Sequence, residues 1–192
     1  KLLLNDGHNI NFLDVGGGLG ITYKDEIPGD PKSLISEISK EIESLNLHLI
    51  LEPGRSITGA AGALIAKVEY LKLTDYKNFA IINAGMNDLM RPALYDSWHE
   101  VKEIRKSDSD GRLYEIVGPV CESADVLAKE RELNISQDDL IAFMDTGAYG
   151  SVMSSNYNSR LSVPEIIVDG SSAKIIKKRQ SFEESIALEK NL

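Results

Sequence analysis

The stretch Phe12–Tyr23, FLDVGGGLGITY, sets three consecutive glycines directly after a short apolar run, with Gly20 two residues further on. Glycine loses more conformational freedom on folding than any other residue, so such density marks a backbone that must turn sharply or be approached closely. Residues 12–15 read as a short buried strand running into that loop. Further on, Asp30 is a good helix N-cap and Pro31 fits the first helical position. Leu34, Ile35, Ile38, Ile42 and Leu45 then fall on one face at helical spacing. Next comes LHLILEPGR, a continuous apolar strand from Leu47 to Leu51 stopped by Pro53-Gly54. Strand, helix, strand in this order predicts a βαβ unit with parallel strands. Both loops, 16–18 and 52–55, therefore leave the C-terminal ends of parallel strands, on the face where α/β proteins place their sites.

The pattern changes after Arg55. SITGAAGA, residues 56–63, reads as a small-residue hinge. Strand candidates follow at 63–73, 79–83, 112–118 and 139–145, then at 163–168 and 173–178, with no long helix between them. Asp169-Gly170 predicts a hairpin turn for the last pair. Ser181 and Glu184 have capping-box spacing for a short final helix. An α/β piece thus ends near residue 57 and a mostly antiparallel β region follows.

The chain has 192 residues and a net charge of −9, and its basic residues do not cluster beyond Lys177–Lys178–Arg179. That run reads as a solvated strand end, and the balance argues against nucleic acid as a partner. No apolar run approaches the length of a membrane helix, which excludes that class. A single cysteine, Cys121, rules out an internal disulfide and fits a reducing compartment, the cytoplasm. None of the three histidines has metal-ligand spacing; His48, inside the apolar strand, reads as core, and His8 and His99 as exposed.

A glycine loop at a strand's C-terminal end can offer backbone N–H groups to an anion such as phosphate, or be no more than a turn. It fits neither the P-loop nor the dinucleotide fingerprint. Glu52 and Arg55 add opposite charges to the same face: the arginine could grip a carboxylate bidentately, or the two could form a surface ion pair.

Five segments, DVGGGLGI, EPGRSI, MNDLMRPALY, GPVCESAD and MDTGAYGSVMSSNYN, occur in this order over residues 14–158. Together they resemble the diaminopimelate decarboxylases, pyridoxal-phosphate enzymes with an alanine-racemase-like barrel and a C-terminal β domain. The resemblance implies an α/β plus β architecture. Residues 1–57 would be the C-terminal strands of a (β/α)8 TIM-like barrel, and 58–192 a mostly antiparallel Greek-key β-barrel or sandwich with a short terminal helix. It implies pyridoxal 5'-phosphate as cofactor. Gly17, Gly18 and Gly54 would hold its phosphate, Glu52 would face the pyridine nitrogen, and Arg55 and Tyr149 would lie at the cofactor and substrate. Arg55, Arg91 and Tyr95 would hold the distal end of meso-diaminopimelate. Arg91 precedes Pro92, which predicts an extended residue presented from a loop rather than a helix. Cys121 would be the proton donor and Glu122 the partner of the substrate's amino group, both entering from the other subunit of a homodimer.

In the family the cofactor is anchored on a lysine early in the barrel, and no lysine of this chain sits in that motif. The chain is accordingly expected to be the C-terminal part of an enzyme that converts meso-diaminopimelate to L-lysine and CO2, the last step of lysine synthesis. Two other readings are a decarboxylase of a related basic amino acid, such as ornithine, arginine or carboxynorspermidine, and a non-catalytic homologue. Arg55 and Arg91 argue against ornithine, which has no distal carboxylate.

Overall fold

In the computed structural model, which describes residues 1–105 and 110–190, a short helix α1 (Leu2–Asn5) precedes strand β1 (Phe12–Asp14). Helix α2 (Pro31–Ile42) starts where the sequence predicts: the Asp30 carboxylate accepts the Ser33 N–H at 2.9 Å, and Pro31 occupies the first turn, where its missing donor costs nothing. A 3-10 turn (Glu43–Leu45) extends it until Asn46, in the left-handed region at φ 50°, redirects the chain into β2 (His48–Ile50). β1 and β2 pair in parallel, Phe12 opposite His48 and Asp14 opposite Ile50. This corrects one expectation. His48 is exposed, its ring 5.4 Å from that of Phe12, because within β2 only Leu49 turns toward the partly covered side.

The predicted hinge is helical: α3 (Arg55–Thr58) runs into a 3-10 turn (Gly59–Ala61). Six strands then form one mixed sheet. They are β3 (Leu64–Lys72), β4 (Asn78–Ile82), β5 (Val101–Glu103), β6 (Arg112–Val117), β7 (Val126–Leu133) and β8 (Leu140–Phe143), with helix α4 (Arg91–Tyr95) between β4 and β5. The spatial order is β5-β8-β3-β4-β6-β7. Every neighbouring pair is antiparallel except β4 and β6. The sheet curls until its edges approach: the Asn134 N–H, just past β7, donates to the Glu103 carboxylate of β5 at 2.6 Å. β9 (Glu165–Asp169) and β10 (Ser172–Lys177) form the predicted hairpin, Gly170 supplying φ +56° at the turn. The capping box of Ser181 and Glu184 closes on α5 (Phe182–Ser185).

Two strands escaped the sequence reading. β5 is too short to show a period, and β7 (VLAKEREL) carries a helix-like run of charges. A bulge in its pairing with β6, with Glu130 at φ +53°, breaks the alternation further. The core lies inside the curled sheet: Val68, Ile82, Leu89, Ile116, Leu127, Ile141 and Phe143 are at most 2% exposed. Each such side chain contributes about 1.5–3 kcal/mol by leaving water. Among the described residues no helix is long and apolar enough to cross a membrane.

Candidate active site

β1 delivers the chain into the glycine loop, and each glycine there answers a different demand. The Asp14 carboxylate accepts the Gly16 N–H at 2.7 Å, and Gly16 and Gly18 lie at φ +69° and +91°, where side chains are strained. Gly17 sits at φ < 0, but a Cβ on it would stand 2.4 Å from the Glu52 carbonyl. The Glu52 N–H in turn donates to the Gly16 carbonyl at 2.8 Å, so the two loops are locked together. Beside Gly16, Gly18 and Gly54 the space a side chain would take is open to 4 Å. Among the described residues nothing accepts the N–H groups of Gly17 and Gly18. This is a backbone cradle of the kind a phosphate group fills.

Glu52 is exposed, and no ion pair joins it to Arg55 among the described residues. Arg55, half-buried at the start of α3, instead lies over the Tyr149 ring at 5.3 Å and the Tyr23 ring at 5.9 Å. The turn holding Tyr149 is pressed backbone to backbone on the segment after α3. The Thr146 and Gly147 N–H groups donate to the carbonyls of Gly62 and Gly59 at 2.9 and 3.0 Å. A Cβ on Gly147 would stand 1.9 Å from the Thr58 carbonyl, so only glycine fits. Tyr149 itself has φ +59°, an uncommon conformation imposed by that turn.

Arg91 corrects a second expectation. It is the first residue of α4, where the N–H that Pro92 lacks would have had no partner anyway. It is only 6% exposed, yet no carboxylate pairs with it among the described residues. Its Nη1 donates to His99 Nε2 at 2.9 Å, and its guanidinium lies 4.5 Å from the centre of the Tyr23 ring. His99, expected at the surface, is fully buried and donates from Nδ1 to the Met144 carbonyl at 2.8 Å. Burial holds its pKa below the usual histidine range, and the charges of Arg91 and Arg131 act the same way; the Met144 carbonyl and Asp145 oppose them. The Tyr23 ring meets His99 edge-on at 5.4 Å, so Tyr23 joins both arginines and the histidine in one cluster. Tyr95, at the far end of α4, is 62% exposed and outside this cluster.

Cys121 and Glu122 are exposed on the loop between β6 and β7. Glu122 accepts from the Tyr157 hydroxyl at 3.4 Å. Beneath them, buried Asp125 accepts the N–H of Val120 at 2.7 Å and of Met86 at 2.6 Å. It thereby ties the Cys121 loop to the loop leading into α4. Burial raises its pKa, against the pull of those two N–H bonds and of Arg160. Arg160 completes the support, reaching the Asn87 side chain at 2.8 Å, the Asn83 carbonyl at 2.6 Å and the buried Asp88 carboxylate at 3.3 Å.

Of the residues singled out from sequence, Gly17 and Glu52 are packed together between two locked loops, with Gly18 and Gly54 on those same loops, while Arg55 joins Tyr149 and, through Tyr23, Arg91. Cys121 and Glu122 form a separate group, tied to the loop before α4 through Asp125 and, from Glu122, through Tyr157 and Ser155. Tyr23, His99, Asp125 and Arg160 were not foreseen. Tyr23 closes the opening glycine stretch, and its aromatic character was the available signal; His99 was hidden among Asp96, Ser97 and Glu100.

Residues 21–147 match the family described as pyridoxal-dependent decarboxylase, C-terminal sheet domain. The chain is 46% identical over 185 residues to a diaminopimelate decarboxylase of Vibrio cholerae, covering 96% of the chain and 44% of that protein. It is 46% identical over 192 residues to one of Haemophilus influenzae, covering 99% and 46%. Its structure superposes on crystalline diaminopimelate decarboxylase from Helicobacter pylori complexed with L-lysine, with a TM-score of 0.91, 39% identity, and coverage of 98% of the chain and 47% of that structure. The chain spans about half the length of the curated relatives it matches.

Proposed function

The chain belongs to the pyridoxal-dependent decarboxylases, through their C-terminal sheet domain, and on that premise we propose that it serves the decarboxylation of meso-2,6-diaminopimelate to L-lysine and CO2. The observation that carries this reading is Arg91, a buried cation without an acid. An uncompensated buried charge is expensive, so the site is built to receive an anion. Arg55, linked to it through the Tyr23 ring, makes the same demand. A substrate with a carboxylate at its non-reacting end meets that demand, and ornithine does not.

Gly17, Gly18 and Gly54 would hold the phosphate of pyridoxal phosphate through backbone N–H groups; the unpartnered N–H groups of Gly17 and Gly18 and the open space beside Gly18 and Gly54 fit it. Bound there, the cofactor supplies an electron sink for the pair left when CO2 departs. Glu52 would hold a proton on the nitrogen of the cofactor's ring. Arg55 and Tyr149 border cofactor and substrate, while Arg91 and Tyr95 orient the distal end. Cys121 returns a proton from its thiol to the carbon that lost CO2, and Glu122 takes the substrate's ammonium. The exposure of this pair, apart from the cradle, supports their entering the site of a second subunit in a homodimer. Residues 1–57 complete a (β/α)8 barrel and 58–192 form a Greek-key β domain. A free thiol as proton donor also suits the cytoplasm.

The test is to supply the complete protein with pyridoxal phosphate and meso-diaminopimelate and to assay lysine and CO2. Both are expected in equal amounts, and Arg91→Ala should lower kcat/KM on the order of 100-fold through the lost charged hydrogen bonds. Turnover of ornithine but not of meso-diaminopimelate would overturn the substrate assignment.

A further inference from the structure

We propose that His99 is a positioning residue that fixes Arg91 while leaving its positive charge uncompensated, so that the site discriminates for ligands with a carboxylate at their non-reacting end. The inference rests on the reading above, in which Arg91 takes that carboxylate.

The geometry settles the state of the imidazole. The Met144 carbonyl can only accept, so Nδ1 carries the proton; the Arg91 Nη1 can only donate, so Nε2 offers a lone pair. His99 is therefore neutral and in one tautomer. A carboxylate in its place would anchor the guanidinium equally well, but it would cancel the charge and leave nothing for an incoming anion. The Tyr23 ring works in the same sense. Its electron-rich face attracts Arg91 at 4.5 Å without neutralising it, and its edge packs on His99. Asp145, the acid whose charge reaches His99, forms no ion pair with Arg91 among the described residues. Both supports of this buried arginine are uncharged, and that separates it from Arg160, which grips a buried aspartate.

The test uses the complete protein loaded with pyridoxal phosphate. Calorimetry compares L-lysine with 1,5-diaminopentane, which has the same amines and no carboxylate, and kcat and KM are measured with meso-diaminopimelate. His99→Gln keeps a neutral acceptor and should preserve the preference for lysine within about threefold. His99→Glu keeps an acceptor but cancels the charge. It should reduce that preference about tenfold or more and raise KM far more than it lowers kcat. If His99→Glu does not fold, His99→Phe replaces it: without an acceptor it should lose the preference that His99→Gln keeps. The proposal is overturned if the Glu or Phe variant matches wild type, or if the Gln variant loses as much as they do. Arg91→Ala, run alongside, separates the two levels. If it alone abolishes the preference, only the role of His99 falls; if it leaves the preference intact, the reading of Arg91 falls as well.

Discussion

Two arginines of this chain are drawn out of water and treated in opposite ways. Arg160 meets the Asp88 carboxylate, the Asn87 amide and a backbone carbonyl, so its charge is used up in holding loops together. Arg91 meets an imidazole and a phenol ring, and its charge remains available. The histidine that makes this possible brings its own pH dependence. Burial lowers its folded-state pKa, while in the unfolded chain it titrates near ~6.5. As pH falls through that value the unfolded chain takes up a proton that the folded one does not, so stability is lost in acid and is fully present above it. The groups facing His99 are Arg91 of α4, Arg131 of β7 and Asp145 after β8, and the two arginines reinforce the shift. Urea unfolding of wild type and His99→Gln at pH 7.5 and 5.5 should show the variant gaining relative stability in acid, by up to ~1.4 kcal/mol per pH unit. A pH-independent difference would mean that the folded imidazole protonates normally.

At the scale of elements, the loops matter more than the strands they connect. Asp125 serves two loops at once, so Asp125→Ala should leave the buried N–H of Val120 and the partly buried N–H of Met86 without a partner. A cost of about 2–4 kcal/mol in urea unfolding is expected, from one to two kcal/mol for each orphaned donor. This element was the hardest to read from sequence, because the acid closing GPVCESAD looks like any surface loop residue until its partner at Met86 is known. The Asp30 cap, the Asp169-Gly170 turn and the capping box were all legible, since each rests on contacts within a few residues; the parallel strands, whose partners lie 36 positions apart, were legible from the strand-helix-strand order. β7 and α4 were not. In β7 a bulge hides the two-residue period, and in α4 the rule that proline disfavours a helix before it gave way to first-turn tolerance. The burial of His99 and the exposure of His48 depended on which sheet covers them, information no local window holds.

For the whole molecule, the decisive junction is where the segment after α3 meets the turn of Tyr149. Gly62 and Gly147 face each other there, and a Cβ on Gly62 would lie 2.5 Å from the Gly147 Cα. Gly147→Ala should force this junction apart, at about 1–3 kcal/mol. Limited proteolysis of the complete protein should then cut faster within residues 56–62 than in wild type; an unchanged cutting rate would mean that the backbone shifts to absorb the methyl group. The glycines of the opening loop were visible in the sequence because they are consecutive. Gly62 and Gly147 lie 85 positions apart, and only the folded chain brings them together. The grip of Arg160 on residues 83–88 has a consequence in time. A ribosome adding about 5–20 residues per second needs roughly 3–14 s to travel from Arg91 to Arg160. Throughout that interval the nascent chain holds Arg91 but not the arginine that locks the loop before it. Synthesis order alone thus delays the locking of residues 83–88 until Arg160 has emerged.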